Sequence, residues 1–323
     1  MNRPLISIII PVYNGIKFLD RCFKTLNDQS YSNLEIIFID NGSTDGSIKK
    51  IKSYCETNSY ANLFNCNKRG VGYARNKGIE VSKGEFISFL DVDDEICVDK
   101  HQLLMDGLNK YPNVGMVIGE TIKQYEDGRS YVLSMHLLNQ NVTPAPEAGL
   151  IWVKYLYQNP QCGSYMVRSK ILKDNNIRFA NISYGEDIAF NICIGLEYDV
   201  LKIDQNISIY HRHNKSTVSI ANQQMSSLER YFQFYEKFAL PLFYNKRGKE
   251  PFKQAFNESE RIAFRILMKL IHVEKKEQYI TNLDDLQRKS FISNLMFRKI
   301  LFNIFPFNMA NSLNERLYKI YYN

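Results

Sequence analysis

The segment Leu90-Asp91-Val92-Asp93-Asp94 sets three carboxylates directly after the apolar run Glu85–Leu90 (EFISFL). Charges at that density repel one another unless a cation or a donor sits among them. A hard divalent ion such as Mg²⁺ or Mn²⁺, itself bridging diphosphate oxygens, meets that need. A solvated Asp-rich turn that caps a helix is the plainer reading of an isolated Asp-x-Asp. Two more groupings concentrate reactive side chains. Glu186-Asp187 follows Asn181-Ile182-Ser183-Tyr184-Gly185 and precedes the apolar Ile188, Ala189 and Phe190, where a carboxylate pair often does no more than favour a helix N-terminus. Tyr210-His211-Arg212-His213, followed by Asn214-Lys215-Ser216, holds two of the five histidines, and an exposed loop would account for them equally well.

The elements that must position these residues are short apolar strands alternating with amphipathic helices. Leu5–Val12 (LISIIIPV) is a continuous β-branched run, the pattern of a strand buried on both faces of a parallel sheet. Asn14-Gly15 breaks it, and Phe18, Leu19, Cys22, Phe23 and Leu26 then recur at helical spacing. Leu34–Asp40 reads as a second strand, Asn62–Cys66 as a third and Glu85–Leu90 as a fourth. Thr44 is placed to N-cap a helix through Ile48, Ile51 and Tyr54, and Tyr73–Val81 reads as another helix. This order gives a right-handed α/β layer with its working loops at the carboxyl ends of the strands.

Beyond Asp99 the spacing predicts a helix over 100–110, strands at Val114–Glu120, Tyr131–Met135, Ser164–Val167 and Ile207–Tyr210, and a helix after Ala148. From Leu228 the reading is helical almost throughout, with stripes such as Ile262, Ile266, Lys269, Leu270 and Val273.

Composition narrows the class. The chain has 323 residues, 45% hydrophobic and 23% charged, which excludes disorder, collagen and a disulfide mini-protein. The six cysteines form no CxxC pair and read as reduced thiols rather than a zinc site. No apolar run reaches the roughly 18 residues a membrane span needs, and Leu5–Val12 lacks a cleavage site after it, so a cytoplasmic or peripheral protein is expected. Residues 1–224 carry 24 basic and 24 acidic side chains, whereas 225–323 carry 17 and 10, so the whole net charge of +7 lies in the last third. A neutral body with a basic, aromatic end does not suggest a nucleic-acid partner. Gly70-Val71-Gly72 lacks the third glycine of a dinucleotide fingerprint, and neither a P-loop nor a GxSxG elbow is present.

Taken together, Ser7–Gly15 (SIIIPVYNG), Ile39–Ser47 (IDNGSTDGS), Asn67–Gly78 (NKRGVGYARNKG), Glu85–Asp94 and Tyr184–Asp187 resemble the family 2 glycosyltransferases of the GT-A fold. They stand in family order and at family spacing across about residues 4 to 220. One departure is Asn41, where many members carry a second Asp. The resemblance implies a GT-A catalytic domain over 1–224, a mixed α/β sheet flanked by helices, with a helical C-terminal region over 225–323. It implies that Pro11 and Tyr13 line the base of a uridine nucleotide and that Asp40 accepts the uracil imide hydrogen. A turn or helix cap is the other reading of Asp40. Asn67 and Arg75 would approach the base and diphosphate, although Arg75 on spacing alone reads as a solvated helix residue. Asp91 would sit near the ribose, Asp93 would ligate Mn²⁺ or Mg²⁺, and Asp94 would support the loop. Asp187 would be the catalytic base of an inverting transfer, with Glu186 beside it. Arg212 or Lys215 would pair with phosphate oxygens and His213 would be a further metal ligand.

The expectation is an inverting, metal-dependent transferase that moves a sugar from a UDP-sugar to a hydroxyl of a glycan or lipid-linked acceptor in surface polysaccharide synthesis. A nucleotidyltransferase and a non-catalytic glycan- or membrane-binding scaffold on a decayed transferase body are the alternatives. The first would want a Gly-rich basic signature in place of PVYNG, and the second would want a loss among Asp91, Asp93 and Asp187. The end of the chain interleaves Phe297, Phe302, Phe305, Phe307, Tyr318, Tyr321 and Tyr322 with Arg298, Lys299, Arg316 and Lys319. Such a segment either settles on an anionic membrane surface or packs on the catalytic domain or a second copy in a homo-oligomer.

Overall fold

Strand β1 (Ile6–Val12) is buried at all seven positions, as its unbroken apolar run requires of a strand covered on both faces. The structure is a computed structural model and describes residues 3–139, 141–182, 184–213, 225–272 and 274. The chain divides into two units, residues 1–220 and 221–323.

The first unit is organised on one ten-stranded mixed sheet. Strands β3 (Ala61–Asn65), β2 (Leu34–Asp40), β1 and β4 (Phe86–Phe89) lie side by side and parallel, in that order. On the other side of β4, strand β9 (Tyr165–Arg168) runs antiparallel both to β4 and to β6 (Met116–Tyr125). Strand β10 (Val200–Arg212) is parallel to β6, and the short β5 (Glu95–Ile96) closes the order against β10. Strand β7 (Ser130–Leu133) forms a hairpin with β6, and β8 (Asn141–Thr143) pairs with β10.

Helices α1 (Leu19–Asn27) and α2 (Ser47–Thr57) cover one sheet face, where Leu19, Cys22, Ile51 and Tyr54 pack on Ile8, Ile10, Ile36 and Phe38. Helix α3 (Val71–Val81) lies against Ile9, so closely that a Cβ on Gly78 would collide with that side chain. Nearly two turns earlier, a Cβ on Gly72 would stand 2.9 Å from the carbonyl oxygen of Ala180. The glycines of the 67–78 segment therefore let α3 lie tightly between the sheet and the chain leading to Glu186. Helices α4 (Lys100–Lys110), α5 (Glu147–Lys154), α6 (Ser169–Asp174) and α7 (Glu186–Glu197) complete the unit. All six cysteines are free thiols.

Several boundaries differ from the sequence reading. Helix α2 starts at Ser47 behind Gly46, not at a Thr44 cap, because Asp45 takes the backbone N–H of Ser47 at 3.1 Å and that of Ile16 at 3.0 Å. Strand β10 extends from Val200 instead of Ile207; the polar Asp204-Gln205-Asn206 interrupts its apolar pattern, and the register with β6 shifts there. Strand β6 runs on to Tyr125, since its last residues form an exposed hairpin with β7 and carry no apolar signature.

The second unit comprises α8 (Ser227–Phe234), a π-helical turn over 235–239, α9 (Leu240–Lys246) and α10 (Phe252–His272). Helix α8 begins in a capping box: Ser226 Oγ accepts from Glu229 N–H, and Glu229 Oε2 accepts from Ser226 N–H at 2.8 Å. Phe243 against Phe252 and Tyr244 against Phe256 join α9 to α10, and Ile262, Ile266 and Leu270 are buried. No helix among the described residues is long and apolar enough to cross a membrane. Val273 and the basic aromatic segment from Phe297 to Tyr322 lie outside the described residues.

Candidate active site

Each of the three carboxylates after β4 meets a different donor. Asp91 Oδ1 lies 2.8 Å from Arg75 Nη2, Asp93 Oδ2 lies 2.9 Å from His213 Nε2, and Asp94 Oδ1 accepts the backbone N–H of His211 at 2.9 Å. The repulsion inferred from the sequence is thus relieved by three separate partners. Burial, followed by the charges of Asp93 and Asp91, pushes the Asp94 carboxyl well above the usual range. Its hydrogen bond fastens the β4 loop to the end of β10.

Arg75 is fully enclosed on α3. Besides Asp91 it reaches Glu186 Oε1 at 2.8 Å, and its guanidinium lies over the ring of Phe179 at 5.2 Å. The residue that spacing alone reads as solvated is instead the clamp between the β4 loop and the start of α7. Beside this clamp stands Asp187, whose Oδ1 takes the N–H of Ile188 at 2.8 Å. Desolvation first, then the neighbouring Glu186 charge, raises its carboxyl to about 7, against the lowering pull of Arg75. A carboxylate so placed accepts a proton readily near neutral pH.

Asp93 and His213 form the second pair. The His213 ring lies 5.2 Å from that of Phe18, and Arg21 donates to the backbone oxygen of Asp93. Arg21 also approaches Glu95 at 3.6 Å, and Glu95 in turn meets His211 Nε2 at 2.6 Å. Among the described residues no group of three or more His, Cys, Asp or Glu side chains is arranged to hold a metal ion, because Asp91 and Asp94 face Arg75 and His211. Of this pair, the Asp93 carboxylate offers the hard oxygen that Mn²⁺ or Mg²⁺ would take, with His213 as a softer neighbour that would suit Mn²⁺ better than Mg²⁺.

The remaining candidates sit at the carboxyl ends of β1, β2 and β3. Pro11 is buried opposite Ile39, whereas Tyr13 is 58% exposed under the Arg69 guanidinium, 4.9 Å from its ring centre. Asp40 accepts the N–H groups of Gly42 and Ser43, each at 3.0 Å, which is the turn geometry also read from its sequence. Asn67 is exposed and meets Asn65, and Arg212 lies 3.5 Å from the Tyr210 hydroxyl. Lys215 lies outside the described residues. Asn41 has a use no aspartate could fill, since its amide donates to the carbonyls of Cys66 and Lys68 at 3.2 and 2.7 Å while its Oδ1 accepts from Gly70 N–H at 2.8 Å. Arg21, Phe18 and Arg69 were not legible as site residues. Phe18 was indistinguishable from the core stripe of α1, and the two arginines from surface charge.

A mixed sheet whose parallel half ends in an acidic loop, faced by a carboxylate at a helix start, is the GT-A glycosyltransferase arrangement. The sequence matches Glycosyl transferase family 2 over residues 7–174, just over half of its length, and the chain belongs to that family. It is therefore a glycosyltransferase, and the nucleotidyltransferase alternative gives way. It is 29% identical over 259 residues to the uncharacterized glycosyltransferase EpsJ of Bacillus subtilis, covering 76% of this chain and 71% of that one. With a cholesterol galactosyltransferase of Borreliella burgdorferi it shares 23% identity, covering 89% of this chain and 84% of the other. Its fold resembles that of S. aureus TarS 1–349 in complex with UDP-GlcNAc (TM-score 0.66, 20% identity, 98% of this chain and 91% of that one). It also resembles the Pyrobaculum calidifontis mannosyltransferase PcManGT in complex with GDP-Man and Mn²⁺ (TM-score 0.56, 16% identity, 99% and 86%).

Proposed function

We propose that this enzyme transfers a sugar, with inversion, from a UDP-sugar to a hydroxyl of a glycan or lipid-linked acceptor in the synthesis of a surface polysaccharide. The observation that carries the reading is Asp187, raised to about 7 beside the Arg75 clamp and one loop away from the Asp93–His213 pair. Asp187 takes the proton of the acceptor hydroxyl as that oxygen attacks the anomeric carbon. The bond from that carbon to the diphosphate oxygen breaks on the opposite face, and the nucleoside diphosphate leaves with the electron pair. General-base assistance of this kind contributes about 10²–10⁴-fold.

Asp93 and His213 are the residues that would hold a divalent cation, which when bound neutralises charge on the departing diphosphate. Tyr13 offers an exposed ring to the nucleobase, and Asp40 and Asn67 edge the same strand ends. Arg212 serves the diphosphate. Arg75 orients Asp91 toward the ribose. Residues 1–224 make the catalytic domain, and the basic, aromatic end of the helical region 225–323 holds the enzyme at the inner face of the membrane. Neighbours whose structures contain UDP-GlcNAc or GDP-Man support a nucleotide-sugar donor. The test is nucleotide release from a panel of UDP-, GDP- and dTDP-sugars with Mn²⁺ or Mg²⁺, with and without acceptors. Release confined to UDP-sugars is expected. No release from any donor would favour the non-catalytic scaffold.

A further inference from the structure

A cavity of about 310 Å³ opens on the side of β4 away from the nucleotide candidates. Thr121 of β6, Ser134 after β7 and Ser164 before β9 line it. In the sheet order, β1, β2 and β3 with Pro11, Tyr13, Asp40 and the nearby Asn67 stand on one side of β4, and β9 and β6 stand on the other. The helix that carries Asp187 is tied to that far wall. Asn191, one turn further along α7, donates to the carbonyl of Pro160 at 3.0 Å, and Cys162 lies in the field of Arg75, Asp187 and Asp91. The wall from Tyr157 to Ser164 therefore lies between the cavity and the helix that carries Asp187.

The lining has a consistent chemistry. Its polar side chains are hydroxyls, amides and an imidazole beside the Tyr157 ring, Val132, Leu133, Met135 and Pro160 add apolar surface, and it includes no Asp, Glu, Lys or Arg. Tyr157 leaves 66% of its surface exposed at the rim. Gln158 accepts the N–H of Leu137 at 3.1 Å and lies 3.3 Å from His136 Nδ1, so the loop carrying His136 is already held in place. A flat ring beside neutral donors and acceptors suits the apolar face and hydroxyls of a sugar, and the volume falls at the low end of the range for small-molecule sites, about 300–1,000 Å³. A carboxylate or phosphate would find no fixed cation in this lining.

We infer that this cavity is the acceptor subsite and that it takes the neutral, hydroxyl-bearing terminal sugar of the acceptor, with Tyr157 and Gln161 as its specificity-determining residues. The inference rests on the transferase reading above and names the class of its acceptor. Trp152, the one tryptophan of the chain, is buried behind the wall, its carbonyl accepting from the amide of Asn159 at 3.4 Å, so its emission senses a change there.

The experiment titrates the full-length protein, in the presence of UDP and Mn²⁺, with p-nitrophenyl glycosides of glucose, galactose, N-acetylglucosamine and glucuronic acid. Binding is read by ligand-observed NMR and by tryptophan emission. At least one neutral glycoside is expected to bind and to shift the emission, with the glucuronide at least about tenfold weaker. Tyr157→Ala and Gln161→Ala should each weaken the neutral glycoside by about tenfold, equivalent to about 1.4 kcal/mol, while UDP affinity by calorimetry stays at the wild-type value. Unchanged glycoside affinity in both variants, equal binding of the glucuronide, or no glycoside binding by a protein that still binds UDP would overturn the inference and leave the transferase reading standing. Failure to bind UDP or any UDP-sugar would instead remove the transferase reading itself.

Discussion

Asp91 and Glu186, ninety-five positions apart in the chain, are held by the two ends of one guanidinium, each 2.8 Å from an Arg75 nitrogen. Arg75 thereby sets the distance between the acidic loop after β4 and the helix that begins with Glu186 and Asp187. Arg75→Ala leaves two carboxylates facing each other with no cation between them. Destabilisation of about 3 kcal/mol or more is expected, the usual scale for removing one member of a buried ion pair. Arg75→Lys should recover only part of it, because an ammonium cannot reproduce the planar fork. Urea unfolding measures both, and an unchanged midpoint in Arg75→Ala would show that the clamp carries no stability.

The state of Asp187 sets the pH response. Its folded value of about 7 means that the base form grows in as pH rises through 7, so kcat/KM should climb with pH across that region. A flat profile between pH 5.5 and 8 would count against it. Stability has the opposite sign. An acid whose folded value lies above its unfolded value, 3.8, favours the folded state most at low pH, and that contribution is lost as pH rises toward 7. Asp187→Asn should therefore melt higher than the wild type at pH 8, with the difference shrinking as pH falls. Transfer should drop by about 100-fold or more while UDP affinity persists.

Asp93→Asn keeps the shape that meets His213 but removes the charge. Calorimetry with and without Mn²⁺ should then show that the metal no longer strengthens UDP binding. If Mn²⁺ raises UDP affinity in the variant as much as in the wild type, Asp93 is not a ligand.

Asn41→Asp restores the residue many relatives are expected to carry, yet here it should harm. A carboxylate cannot donate to Cys66 and Lys68, and it would face two carbonyl oxygens. A loss of about 1–3 kcal/mol is expected. Thermal melting gives the size, and hydrogen exchange at Gly70 locates it. Wild-type stability in this variant would show that the loop has another support.

Much of the first hundred residues was legible because their physics is local. The unbroken run of β1, the turn after β2 and the strand before Asp91 each declare themselves within a few residues. The start of α7 did so too, through Gly185 and its acidic pair. What escaped depends on distant chain meeting distant chain. Nothing near Arg75 in sequence distinguishes it from a solvent-facing arginine; its surroundings come from Asp91, Phe179 and Glu186. The same holds for Arg21 beneath Asp93 and for Arg69 over Tyr13. Strand β10 was cut short in the reading because its irregular middle is polar, and its pairing with β6 is what extends it. Asp94 illustrates the middle case: the loop role was implied by resemblance, while its partner, the N–H of His211, could come only from the sheet.

The change from parallel to antiparallel pairing at β4 and β9 also orders the enzyme in time. As the chain leaves the ribosome, everything proposed for the nucleotide except Arg212, His213 and Lys215 emerges before β9, whereas Asp187 on α7 and the end of β10 come after it. A nascent or truncated chain that stops short of α7 would carry Pro11, Tyr13, Asp40, Asn67 and Asp93 but neither Asp187 nor the Arg212-His213 end of β10. Such a chain would also lack Glu186, one of the two partners of Arg75, and the N–H of His211 that holds Asp94, so the two halves of the site are completed only together.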